Sequence, residues 1–361
     1  MPAKLADPFV HKNVIPAFHF ALMTDNSSNG AKKRIFSGMQ PSGEAHLGNY
    51  LGALRRWVRM QDDYDCIWCI VDEHAITAGG DPARMPTMVF DLAVSYLAVG
   101  LDPEKAIIFV QSDVPEHTEL AWLFNAVTPV GDLERMTQYK DKSRNLESIP
   151  VGILNYPILQ AADILLYKAD GVPVGADQKQ HLELTREIAR KFNAAYGDTF
   201  PVTEPLIGED VGRIVGLDGK AKMSKSLNNT VPVLSEPDDV WARVRGAVTD
   251  PQRVRRDDPG RPEVCNVYSL HAFFTDDATR ADIETQCRAG TIGCVDCKRI
   301  LSDNIADAFT PYRERAKQYI ENPDEVRRVL DDGAKRARAI ARETLAEAKQ
   351  RMGLNWREAL G

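Results

Sequence analysis

Residues 34–52 read RIFSGMQPSGEAHLGNYLG. The opening RIFSG is β-branched and aromatic, the middle is crowded with Gly, Pro and Ser, and Leu47, Leu51, Leu54 and Val58 then recur at helical spacing. A strand that passes through a glycine turn into a helix start aims backbone N–H groups and the positive helix end at one spot, where a phosphate chain can sit. Glycine also serves ordinary tight turns, so the turn alone decides little. Its weight comes from a second segment far downstream, Lys222-Met223-Ser224-Lys225-Ser226.

Outward from this stretch, strand-like and helix-like segments alternate. Residues 66–71 (CIWCIV) and 106–110 (AIIFV) are short continuous apolar runs, the pattern of strands buried on both faces, and residues 83–98 read as the helix between them. Residues 172–174 return to strand character before an amphipathic helix over 178–192. The pattern predicts an α/β fold: a doubly wound, parallel, Rossmann-like nucleotide-binding domain followed by an all-helical C-terminal domain. Its ligands would lie beyond the carboxyl ends of the strands.

The chain has 361 residues, of which 43% are hydrophobic, enough for a large core and two domains. No apolar run approaches the length of a membrane span. The net charge of -7 argues against indiscriminate nucleic-acid binding, although residues 231–361 are nearly neutral. Basic residues gather there at Arg253, Arg255, Arg256 and Arg261, and at Lys335, Arg336, Arg338 and Arg342; a solvated helix face is the plain reading of the second group. Residues 1–33 lack periodicity and are expected to be a disordered extension, with the native start at Met23.

HLGN at residues 46–49 followed by KMSKS resembles the signature pair of class I aminoacyl-tRNA synthetases. Asn49 stands where the first signature usually ends in histidine, and PSGEAHLGN, AADILLY (161–167), VPVGADQKQHLELTR (172–186) and VDEHAIT (71–77) are similar to the tryptophanyl branch. That resemblance implies an enzyme that activates L-tryptophan with ATP and Mg2+ and transfers it to tRNA(Trp), working as a cytoplasmic homodimer. It implies a catalytic domain over 34–235, with a dimer-forming insertion at 116–170 and a mobile KMSKS loop at 217–229, and a helical anticodon-binding domain over 236–361.

The chemistry asks mainly for positioning and charge stabilisation around a phosphorus centre. His46, Asn49, Lys222, Ser224 and Lys225 are the candidate catalytic residues: imidazole and amide donors to phosphate oxygens, then two ammonium groups and a hydroxyl for the departing pyrophosphate. By resemblance the nucleotide also meets Gln40, Pro41, Ser42, Gly48, Lys142 (in QYKDKS), Gly175, Ala176, Asp177, Ile214, Met223 and Ser226. Asp163 matches the family's reader of the indole N–H, with Phe36, Val71, Val172 and Val174 as apolar walls and His74, Tyr156 and Gln178 as polar contacts. A buried acceptor discriminates strongly against rings without that donor. Gln160 departs from the methionine that many relatives carry there.

Cys265, Cys287, Cys294 and Cys297 form C-x21-C-x6-C-x2-C. Four thiols within so short a span favour a metal over disulfides. A subset of bacterial tryptophanyl synthetases carries a [4Fe-4S] cluster on a spacing one residue longer in the first gap; this resemblance implies such a cluster here, zinc being the alternative. Cys66 and Cys69 fall on a buried strand with opposite side-chain directions and read as core. Two rival functions remain: a tyrosyl synthetase, and a non-catalytic RNA-binding iron–sulfur redox regulator on the same fold.

Overall fold

The computed structural model describes residues 32–79, 81–144, 146–175, 178–207 and 214–359. The expected N-terminal extension and the start at Met23 lie outside them. Along the chain come β1 (Arg34–Met39), α1 (Leu47–Asn49), a π-helical turn (Tyr50–Leu54), α2 (Arg55–Met60), β2 (Asp65–Ile70), α3 (Asp72–Ala75), α4 (Met85–Val99) and β3 (Ala106–Val110). Four helices follow: α5 (Glu116–Asn125), α6 (Val130–Glu134), α7 (Thr137–Ser143) and α8 (Val151–Leu165). Then come β4 (Gly171–Val174), α9 (Lys179–Tyr196), β5 (Glu204–Ile207), α10 (Pro237–Arg245), α11 (Asn266–Phe274), α12 (Asp277–Ala289), α13 (Cys294–Glu321), α14 (Pro323–Arg351) and α15 (Trp356–Ala359).

These elements form two compact units. The sheet unit takes the described residues of 32–43, 56–207 and 322–359, and the other takes 44–55 and 214–321.

In the sheet unit five parallel strands run in the order β3-β2-β1-β4-β5. Ile35 of β1 is opposite Cys66 of β2 on one side and Gly171 of β4 on the other. Every residue of CIWCI in β2 is buried, as continuous apolar strands require when both faces are covered. Trp57 of α2 stacks flat on Trp68 at 4.7 Å. Cys66 and Cys69 are core, and burial pushes the Cys66 thiol up to about 12. The sequence reading did not foresee β5, because Pro205 interrupts its pattern; proline is tolerated there because β5 is an edge strand.

α14 packs on β3, where a Cβ built on Gly333 would run into the carbonyl oxygen of Ile108. Arg338 and Arg342 of α14 clasp the buried Glu116 at 2.9 and 3.1 Å, and Lys349 pairs with Glu119 at 2.7 Å. Part of the basic group read as a solvated face therefore fixes the C-terminal helix to α5. Val326, Ala337, Ala341 and Leu345, spaced at helical periods along α14, are buried.

Candidate active site

In the second unit HLGN and KMSKS meet. His46 caps α1: its Nδ1 accepts from the Asn49 N–H at 3.3 Å, and the Asn49 side-chain oxygen accepts from the His46 N–H at 3.1 Å. The segment is tied to the chain after the KMSKS loop by backbone hydrogen bonds: the Leu47 N–H donates to Val231 and the Val233 N–H to Ala45. Gly48 lies against Met223, whose Cβ would be 3.2 Å from a Cβ on the glycine. Burial first, and then the charges of Lys225 and Lys222, push the His46 imidazole down to about 4. The ring is therefore neutral near neutrality, and the ammonium groups of the KMSKS segment are near enough to act on it.

A polar scaffold shapes the KMSKS segment. The buried Asn229 accepts from the Ser224 N–H at 2.7 Å and donates to Asp218 at 3.0 Å and to the Lys222 carbonyl at 3.3 Å. Asp218 in turn accepts from the backbone of Lys220 and Ala221, and Ser224 and Ser226 share a hydrogen bond at 2.9 Å. Ile214 is buried and its carbonyl receives the Met223 N–H at 3.3 Å.

In the sheet unit Gln40, Pro41 and Ser42 leave the carboxyl end of β1, and Gly175 leaves that of β4, its hydrogen-bonded neighbour. This is the edge where open parallel sheets bind ligands. Ala176 and Asp177 lie outside the described residues. Lys142 of α7 sets its ammonium 4.1 Å from the centre of the Tyr156 ring, and loss of water lowers its pKa.

Asp163 of α8, the expected indole reader, lies in the same unit and is 2% exposed. Its Oδ2 accepts from His74 at 2.7 Å; its Oδ1 faces Gln111 Nε2 at 2.8 Å and His117 Nδ1 at 2.7 Å. Burial opposes the charge, but the two histidines outweigh it and hold the carboxyl below its ordinary range. Phe36 stacks on Tyr167 at 5.4 Å; Val71 and Val172 are buried and Val174 half-buried. Tyr156 is hydrogen-bonded to Gln138 at 2.9 Å and His181 at 2.8 Å, and burial pushes its hydroxyl up to about 12. Gln178 caps the start of α9, half-buried like Gln160.

The cysteine quartet spans the approach to α11, then α12 and α13, in the other unit. The thiols sense one another: burial and then Cys265, Cys287 and Cys294 push Cys297 up to about 12. All four are free, and among the described residues no three His, Cys, Asp or Glu side chains converge to hold a metal ion. His117, Gln111, Tyr167 and Asn229 were given no role in the sequence reading. Tyr167 and Asn229 close segments that it quoted, whereas His117 and Gln111 stand outside every motif.

A family model for class I tRNA synthetases of tryptophan and tyrosine matches residues 28–310. The tryptophan–tRNA ligase of Deinococcus radiodurans is 51% identical over 324 residues, covering 89% of this chain and 98% of that protein. That of Helicobacter pylori is 45% identical, covering 90% and 99%. The crystal structure of Campylobacter jejuni tryptophanyl-tRNA synthetase with ADP and tryptophan superposes with a TM-score of 0.81 at 36% identity, covering 89% and 99%. No described helix is long and apolar enough to cross a membrane. On the family match over most of its length and its identity to these ligases, the chain belongs to the class I tRNA synthetases, in their tryptophanyl branch.

Proposed function

We infer that this chain is a tryptophan–tRNA ligase. The tryptophan carboxylate attacks the α-phosphorus of ATP, pyrophosphate leaves, and the terminal ribose hydroxyl of tRNA(Trp) then displaces AMP from the adenylate carbonyl. The observation that carries this reading is the packing of Gly48 against Met223 with a neutral His46 beside Lys222 and Lys225. A neutral imidazole donates to phosphate without adding charge to a centre already served by two ammonium groups. Asn49 donates without titrating, and Ser224 and Ser226 add hydroxyls. Gln40, Pro41, Ser42, Lys142, Gly175, Ala176, Asp177 and Ile214 complete the proposed nucleotide contacts. Mg2+ neutralises phosphate charge when bound. With no carboxylate cage among the described residues, it would come as part of the nucleotide complex.

Asp163 is proposed to accept the indole N–H, which sets tryptophan apart from tyrosine. Tryptophan-dependent exchange of labelled pyrophosphate into ATP tests the assignment. Exchange should be abolished in Lys225→Ala, and equal exchange with tyrosine would overturn it.

We assign anticodon reading to the helices of 236–361 and a cytoplasmic homodimer to the assembly; exposed Trp122, Val130 and Val151 in the insertion support a subunit contact. We also assign an iron–sulfur cluster to the cysteine quartet. Its support is the spacing and the mutual influence of the thiols; a cluster separates its thiolates more widely than a single zinc ion, whose ligands converge at about 2.3 Å. Bound there, the group would supply the positive charge that lets four neighbouring thiols ionise.

A further inference from the structure

The acceptor positions of Asp163 can be counted one by one. An ionised carboxylate has about four acceptor positions, two on each oxygen. Among the described residues, Gln111 and His117 take two on Oδ1, and His74 takes one on Oδ2. One position remains, on Oδ2.

His117 is fully buried, and its second nitrogen, Nε2, lies 2.7 Å from the Tyr167 hydroxyl. An ionised carboxylate oxygen only accepts, so Nδ1 of the neutral ring carries the hydrogen and donates it to Asp163 Oδ1, which leaves Nε2 to accept from the Tyr167 hydroxyl. Tyr167 is itself held by its stack on Phe36 and by the Phe109 edge at 5.9 Å. The relay Tyr167 to His117 to Asp163 is thus one-directional. Gln111 cannot reverse its amide, since its oxygen would then face the carboxylate.

We propose that His117 is a specificity-positioning residue for tryptophan: its Nδ1–H pins Oδ1 of Asp163 and leaves a single acceptor, on Oδ2, for the ring N–H of the substrate. The inference rests on the reading of Asp163 as the indole acceptor. Without the donor, the carboxylate gains a second open acceptor and rotational freedom. A ring without an N–H then leaves no sharper penalty than tryptophan does, and discrimination fades.

The test uses the full-length protein and pyrophosphate exchange with tryptophan and with 3-benzothienylalanine, in which sulfur replaces the ring N–H. His117→Leu should lower the ratio of the two kcat/KM values by about 100-fold, mainly through a raised KM for tryptophan with kcat little changed. His117→Asn, whose amide can donate from near the Nδ1 position, should restore the ratio to within about 10-fold of the parent. Tyr167→Phe leaves His117 Nε2 buried without its donor and loosens the seat of the ring, without opening a large cavity, and should lower the ratio by about 10-fold; it carries the test if His117→Leu does not fold. An unchanged ratio in His117→Leu, or in Tyr167→Phe where it carries the test, or equal losses for both amino acids, would overturn the proposal. Asp163→Asn separates the two readings. If it leaves the ratio intact, Asp163 is not the acceptor and both fall. If it abolishes the ratio while His117→Leu does not, only the role of His117 falls.

Discussion

Gly48 is packed against Met223 so closely that a Cβ on the glycine would be 3.2 Å from the methionine Cβ and 3.0 Å from the His46 ring. Two motifs far apart in the chain are thus in van der Waals contact, and the glycine is needed for that fit and not for any unusual backbone angle.

Gly48→Ala should therefore impair catalysis more than folding. Displacing the KMSKS backbone by a few tenths of an ångström misdirects both ammonium groups, and errors of that kind cost about 10- to 100-fold in rate. Pyrophosphate exchange should fall by that amount, while the thermal midpoint moves little.

His46 sets a pH dependence whose sign follows from its depressed pKa of about 4 against an unfolded value near 6.5. The unfolded chain binds the proton first, so stability falls as pH drops from 6.5 to 4, by about 3 kcal/mol at most from this group. Urea unfolding between pH 7 and pH 4 should show a loss that is smaller in His46→Asn.

Asn229 ties Ser224, Lys222 and Asp218 together from a buried position. Asn229→Ala removes the acceptor of the Ser224 N–H and a donor to Asp218 and to the Lys222 carbonyl, at a cost of about 1–3 kcal/mol. It should reduce kcat for exchange with little effect on the KM for tryptophan. Asn229→Asp, which sets a carboxylate against Asp218, should be worse.

Gly333 seats α14 on β3 against the Ile108 carbonyl. Gly333→Ala forces the helix outward, and overpacking of this kind costs about 3 kcal/mol. Thermal unfolding followed by circular dichroism should show a lowered midpoint, and Gly333→Leu a larger drop.

For the cysteine quartet, protein purified without oxygen should carry about four iron and four sulfide per chain. Cys297→Ser should lose both while keeping most pyrophosphate exchange. Zinc in place of iron would replace the cluster with a mononuclear site.

The strands were legible wherever burial on both faces leaves an unbroken apolar run: β3 begins and ends at 106 and 110 as the sequence predicts, β1 runs one residue further than expected, and β2 is shifted by one residue at both ends. The extent of the C-terminal unit was not legible. α14 has the same amphipathic spacing whichever partner it packs on, and only Gly333 and the clasp on Glu116 fix that partner.

By itself the sequence determined the fold class, the two signatures and the family, because these depend on periodicity and on ordered runs of residue types that local chain geometry translates directly. Only the tertiary structure decided that His46 is neutral, that Asn229 braces the KMSKS segment and that His117, Gln111 and His74 converge on one carboxylate. Those facts depend on distance and burial between residues remote along the chain, and neither quantity has any signature in the order of the residues.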